Sequence, residues 1–210
     1  EGTDGAIRFA RRLVAENPEK YFMPDQFANA ANYLAHYGGT ALEIWQQTSG
    51  EIDYLVAGVG SGGTITGCAE VIKMQCPDCR IIAVEPFASP VLSGGFPGGH
   101  PLAGIGPGFV PPVLNTYILD EIIRVKTPDS LAMMEQLARL EGVFCGPSSG
   151  AALAAASPGL TARERAFVCV ATATMSPMFL VGTCGGWLGS ARAGVALLIS
   201  VLAGGAVAGT

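Results

Sequence analysis

The residues best suited to chemistry are five in a row, Gly60-Ser61-Gly62-Gly63-Thr64. They stand between an apolar stretch, residues 52–57, and a segment of helical character, residues 64–74. A helix start offers backbone N–H groups without partners and the positive end of the macrodipole. Glycines let such a backbone approach an anion with no Cβ in the way. The hydroxyls of Thr64 and Thr66 add donors near the same point. The chemistry implied is the holding of a phosphate on a bound cofactor. Which cofactor is open on spacing alone. Gly58-Val59-Gly60-Ser61-Gly62-Gly63 satisfies G-x-G-x-x-G, and Glu85 ends the next apolar stretch, where a ribose-binding acid belongs.

Other reactive side chains are less organised. Cys76-Pro77-Asp78-Cys79 supplies half of a zinc site, with no second pair after it, and Pro-Asp is ordinary turn chemistry. No metal is expected. His36 and His100 lack a partner at metal-ligand spacing; His36 reads as structural and His100 as a loop residue. Trp45, three residues after Leu42, reads as core. The cysteines number six, and residues 1–14 form a charged amphipathic segment rather than a secretory leader. A reducing cytoplasm is therefore expected, without a disulfide framework.

The elements that must position the glycine loop follow from periodicity. Residues 52–57 and 80–84 are short, apolar and β-branched, and the helix 64–74 joins them. Strand, helix, strand in that order predicts a βαβ unit and a parallel sheet. Helices are predicted over 6–14, 29–37, 40–47, 128–140 and 149–156, with the second and third broken at Gly38-Gly39. Short strands are predicted over 21–23, 122–125 and 143–145. Residues 88–112, rich in Gly and Pro, form a long loop of the kind that usually carries function. The fold class is α/β, a parallel sheet flanked by helices.

Charged residues make up only 14% of the 210, and the net charge is −5, which removes the electrostatic case for nucleic acid. The chain divides into an ordinary domain, residues 1–157, and an Ala/Gly/Val-rich tail, residues 158–210, with no acidic residue after Glu164. Residues 193–208 are apolar but fall short of the roughly 20 residues that span a bilayer, so a membrane partner is not expected.

Four stretches in order carry a family resemblance. Asp25-Gln26-Phe27-Ala28-Asn29, with His36-Tyr37 and Glu43-Ile44-Trp45, leads into Gly60-Ser61-Gly62-Gly63-Thr64-Ile65-Thr66-Gly67. Ala103-Gly104-Ile105-Gly106-Pro107-Gly108-Phe109 and the segment from Glu141 through Pro147-Ser148-Ser149-Gly150 follow. Together they resemble the cysteine synthase and cystathionine β-synthase family, pyridoxal-phosphate enzymes of the tryptophan-synthase-β fold type. The resemblance implies part of that fold over residues 1–156 and pyridoxal 5'-phosphate as cofactor. It implies that Gly60, Ser61, Gly62, Gly63 and Thr64 hold the cofactor phosphate and that Ser148 hydrogen-bonds the pyridine nitrogen. A hydroxyl there leaves that nitrogen unprotonated, which suits β-elimination and replacement. Gln26 would contact the substrate carboxylate, and Gly104 would line the substrate side. Ala103 departs from the family pattern, which has a polar residue there. Read on the residues alone, a helix N-cap is the lesser alternative for Ser148, and a surface side chain is the alternative for Gln26.

The implied reaction is β-replacement on an activated serine such as O-acetylserine, with sulfide or another thiol as second substrate, in a complete protein that is a homodimer. Two other readings stand beside it: an NAD-binding Rossmann module of an oxidoreductase, and a non-catalytic partner of a complete homologue. The Schiff-base lysine is expected to be absent from the chain, because Lys20, Lys73 and Lys126 match nothing in the family's lysine-bearing segment. No catalytic residue is therefore assigned, and roughly the first third of a family member is expected to be missing. The resemblance also fails after Val170. Val170-Ala171-Thr172-Ala173-Thr174 can be encoded GTG GCG ACC GCT ACN, and the neighbouring frame of such DNA reads Gly-Asp-Arg-Tyr, which resembles the Gly-Asp/Glu-Arg-Tyr-type segment the family has there. A frameshifted or disordered tail is the expectation.

Overall fold

Leu55-Val56-Ala57 is a run of three buried residues, too short for a helix and apolar on both faces, as a central parallel strand requires. In the computed structural model, which describes residues 2–156, it forms the middle of strand β1, Tyr54–Gly58. Helix α4, Gly63–Gln75, carries the chain back, and β2, Arg80–Pro86, pairs parallel with β1, Tyr54 opposite Arg80 and Gly58 opposite Val84. Strand β3, Glu121–Val125, pairs parallel with β2, Ile82 opposite Glu121. Among the described residues the sheet order is β1-β2-β3.

Helices cover the sheet. α5, Thr127–Gln136, and α6, Pro147–Ala156, form a close pair, and Gly150 permits it, because a Cβ there would stand 2.2 Å from the Ser130 carbonyl oxygen. Ala151, Ala155 and Ala156 of α6 pack with Val56, Ile82, Val84 and Val125 of the strands, and Leu102 and Ile105 of the long loop join them. Leu102 and Ile105 thus anchor the loop in the core, while Gly94, Gly95, Gly98, Gly99 and Gly104 stay exposed.

The N-terminal part is helical: α1, Gly2–Glu16, α2, Ala31–Ala35, and α3, Ala41–Gln47. The break expected at Gly38-Gly39 does not occur. Residues His36–Thr40 form one π-helical turn that joins α2 to α3, and no atom lies within 4 Å of where a Cβ would stand on either glycine. α5 likewise runs into a π-turn, Leu137–Glu141, closed by Gly142 at φ +67°. The short strands expected at 21–23 and 143–145 are irregular instead. Phe22 and Phe144 are 86% and 97% exposed, so their apolar character marks no buried strand among the described residues. Trp45 is half-buried, its ring packed against Gly50. The tail, residues 158–210, and the frameshift expectation for residues 170–174 lie outside the described residues.

Candidate cofactor site

Parallel strands bring their C-terminal ends to one edge, and ligands of such sheets bind there. Here two loops meet at that edge. The first leaves β1 as Val59-Gly60-Ser61-Gly62. Gly62 takes φ +86° as the N-cap of α4, and its carbonyl accepts the first helical hydrogen bond, from Thr66 N–H at 3.0 Å. The N–H groups of Gly63, Thr64 and Ile65 therefore have no carbonyl one turn back and form a donor set at the positive end of a 13-residue helix. The second loop follows β2 and returns to the same edge: Gly106 N–H donates to the Val59 carbonyl at 2.9 Å. A Cβ on Gly60 would stand 2.2 Å from the Gly104 carbonyl oxygen, so the two loops touch backbone to backbone.

Between them lies an open cavity of about 760 Å³, walled by Gln26, Gly60, Ser61, Ser89 and residues 97–108. That volume falls within the usual range for small-molecule sites. Gly104, at φ +90°, has no atom within 4 Å of a would-be Cβ and faces this space. Gln26 is held at the wall by its neighbours. Phe27 packs edge-on against Phe109 with centroids 5.1 Å apart, and its carbonyl accepts Val113 N–H at 3.1 Å. On the other side Arg11 pairs with Asp25 at 3.2 Å, which takes a left-handed φ of +42°.

The residues expected to hold a phosphate are therefore distributed in two ways. Gln26, Gly60, Ser61 and Gly104 converge on the cavity, whereas Gly62, Gly63 and Thr64 lead from it into α4. Ser148 does not line the cavity. It is half-buried in the first turn of α6, one turn before Ala151, which packs on the sheet, and its hydroxyl makes no hydrogen bond among the described residues. The helix begins at Pro147, so Ser148 lies inside it rather than capping it.

Glu85 is not a ribose-binding acid. It is 1% exposed; its Oε2 accepts Leu92 N–H at 2.8 Å and its Oε1 accepts Ser93 N–H at 3.1 Å and the Ser93 hydroxyl. Both oxygens are spent on shaping the long loop, which removes the residue that gave the dinucleotide reading its force.

Periodicity did not single out the residues that brace the phosphate loop. Asn32 Nδ2 donates to Ser61 Oγ at 2.8 Å and to the Gln26 carbonyl at 2.7 Å. His36 Nε2 lies 3.2 Å from Thr64 Oγ1, and its Nδ1 lies 2.9 Å from Thr40 Oγ1. Thr66 Oγ1 donates to the Val113 carbonyl at 3.3 Å and accepts Asn115 N–H at 3.0 Å. A signal was present, since Asn32 and His36 are four residues apart and so share a helix face. Burial holds the His36 imidazole below its ordinary value of 6.5, favouring the neutral ring.

The arrangement fits pyridoxal phosphate, with a donor-rich helix start for the phosphate, a cavity of suitable volume, and a glycine whose missing Cβ leaves that cavity open. No lysine lines the cavity. Lys73 pairs with Asp120 at 2.9 Å near the far end of α4, while Lys20 and Lys126 lie over the rings of Tyr21 and Phe87. Among the described residues no group of three His, Cys, Asp or Glu side chains is placed to hold a metal ion.

Residues 1–173 match the family described as pyridoxal-phosphate dependent enzyme. Cysteine synthases of Staphylococcus aureus strains Mu50 and N315 are each 48% identical over 157 residues, covering 74% of this chain and 50% of the relative. The chain thus spans about half the length of the curated relatives it matches. The crystal structure of a cysteine synthase from Entamoeba histolytica superposes with a TM-score of 0.68 at 45% identity, over 71% of this chain and 44% of that one. A hydrogen sulfide-producing enzyme from Fusobacterium nucleatum gives 0.70 at 36% identity, over 74% and 52%. The fold is accordingly part of the tryptophan-synthase-β type. The chain belongs to the family of pyridoxal-phosphate dependent enzymes.

Proposed function

We propose that this chain carries the phosphate-holding part of a cysteine synthase, which replaces the β-substituent of an activated serine such as O-acetylserine with sulfide. The observation that carries the reading is the convergence of Gln26, Ser61 and Gly104 on one cavity beside the start of α4. When bound, pyridoxal phosphate supplies an electron sink that eases departure of the β-leaving group. This chain's residues position the pieces. The N–H groups at Gly63 and Thr64, with the Ser61 and Thr64 hydroxyls, bind and orient the phosphate. Ser148, in the first turn of α6 and outside the cavity wall, is paired with the pyridine nitrogen by the family resemblance alone. Gln26 binds the substrate carboxylate, and Gly104 leaves room for the substrate. The complete protein is read as a cytoplasmic homodimer; among the described residues no helix is long and apolar enough to cross a membrane.

None of Lys20, Lys73 and Lys126 lines the cavity, so this chain alone holds the cofactor by its phosphate and does not turn over. The test is to add pyridoxal phosphate to the purified chain, reduce with borohydride, and map the product by peptide mass. The expected result is no stoichiometric adduct. A stoichiometric adduct at any one of the three lysines would overturn this assignment.

A further inference from the structure

We infer that Asn32 is a positioning residue that sets the Ser61 hydroxyl as a donor and thereby selects a phosphoryl anion over an uncharged ligand group. The inference rests on the reading of residues 60–64 as a phosphate site and goes beyond it by naming what orients that site's hydroxyl.

Hydrogen-bond capacity fixes the direction of each contact. The Gln26 carbonyl can only accept, and it lies 2.7 Å from Asn32 Nδ2. The side-chain amide must therefore present its NH₂ group on this side, because the flipped amide would set oxygen against oxygen. The same nitrogen lies 2.8 Å from Ser61 Oγ. Its second N–H consequently points at the serine oxygen, and the hydroxyl is the acceptor in that pair. A hydroxyl has one proton, and here that proton is not spent on Asn32. Ser61 lines the cavity, so its O–H is free to donate into it.

The site is also built around this amide. A Cβ on Gly63 would stand 2.0 Å from Asn32 Oδ1 and 2.4 Å from its Cγ, so Gly63 is the residue that makes room for the Asn32 side chain. The same contact fixes the amide beside the first turn of α4. Asn32 thus ties three things together: the main chain of the Gln26 segment, the Ser61 hydroxyl and the helix start.

The experiment compares dissociation constants of pyridoxal phosphate and unphosphorylated pyridoxal for the full chain and its Asn32→Asp, Asn32→Ala, Ser61→Ala and Asn32→Ala/Ser61→Ala variants. Melting temperature is recorded for each. Ser61→Ala is expected to weaken pyridoxal phosphate about tenfold and pyridoxal little, as loss of one donor to an anion should. Asn32→Ala should give a similar loss confined to the phosphorylated ligand, and the double variant should be no weaker than Ser61→Ala alone, within about twofold. Asn32→Asp, which replaces the donor by an acceptor and adds a charge, should give the largest loss. Equal weakening of both ligands by the Asn32 variants, additive losses in the double variant, or no loss would overturn the inference while leaving the phosphate site standing. No effect of Ser61→Ala, or no preference of the unsubstituted chain for the phosphorylated ligand, would overturn the phosphate reading itself.

Discussion

His36 Nε2 lies 3.2 Å from Thr64 Oγ1 while the opposite ring nitrogen lies 2.9 Å from Thr40 Oγ1, so one imidazole spans the π-turn and the start of α4. The ring is half-buried, and burial lowers its pKa below 6.5. The neutral form is therefore the native one. A folded-state value below the unfolded one means that the unfolded chain binds more protons as pH falls, so stability is complete above about 6.5 and declines below it. Melting temperature should be flat from pH 8 to 7 and fall on acidification through pH 6 and 5. The His36→Gln variant should lose that part of the slope; an unchanged profile would remove His36 as its source.

Asp120 governs a different pH window. Its Oδ2 accepts Ile81 N–H at 2.7 Å and pairs with Lys73 at 2.9 Å. The backbone hydrogen bond and then the Lys73 ammonium hold its carboxyl below the ordinary value of 3.8. The stability it adds is present above that value and is lost as pH falls through the lowered one. The side chain is 35% exposed, so solvent screens the pair. Asp120→Asn should cost about 1 kcal/mol at pH 7 by urea unfolding and much less at pH 3.

Gly60 and Gly104 separate two kinds of glycine requirement. Alanine at Gly60 would put its Cβ 2.2 Å from the Gly104 carbonyl oxygen and push the two loops apart. Gly60→Ala should lower pyridoxal phosphate affinity by at least about tenfold, a loss traceable to distorted loop packing. Gly104→Ala meets no atom but forces an L-residue to φ +90°, costing roughly 1–2 kcal/mol of stability. Titration and thermal melting of the two variants should show that contrast.

The cysteines should be graded in reactivity. Burial raises the Cys68 thiol to about 12, and raises Cys79 to about 11 with a further push from Cys76. Both are 1% exposed. Iodoacetamide at pH 7.5 should leave both unmodified in the folded chain and modify them only in urea, as read by peptide mass. Rapid labelling of Cys79 in the folded state would contradict the burial of its side chain.

Much of this was legible in the sequence because the relevant signals are local. The βαβ unit was readable from the buried run at Leu55 and the glycines before α4. Gly60 and Gly104 could be placed at one site only through the resemblance, since the contact between them joins loops from different strands. The misplaced elements share a physical cause. Phe22 and Phe144 are apolar yet exposed among the described residues, so they imitated strands, and Gly38-Gly39 imitated a break where a π-turn carries the helix through. Glu85 stood at the right spacing for a ribose contact, but sequence could not show that the 92–93 segment folds back to occupy it. Asn32 was missed because an amide that braces a loop looks like any surface amide until its partners are known.

The proposed holding of a phosphate dianion by the loop 60–64 can be read in the phosphorus resonance of bound pyridoxal phosphate. Free phosphate monoesters titrate near pH 6. The N–H groups and helix dipole at Gly63 and Thr64 favour the doubly charged form. The bound ³¹P signal is expected to stay at the dianion position from pH 8 down to about 5.5, and to begin to titrate near pH 6 in Ser61→Ala. A bound signal in the unsubstituted chain that follows the free ligand through pH 6 would contradict it.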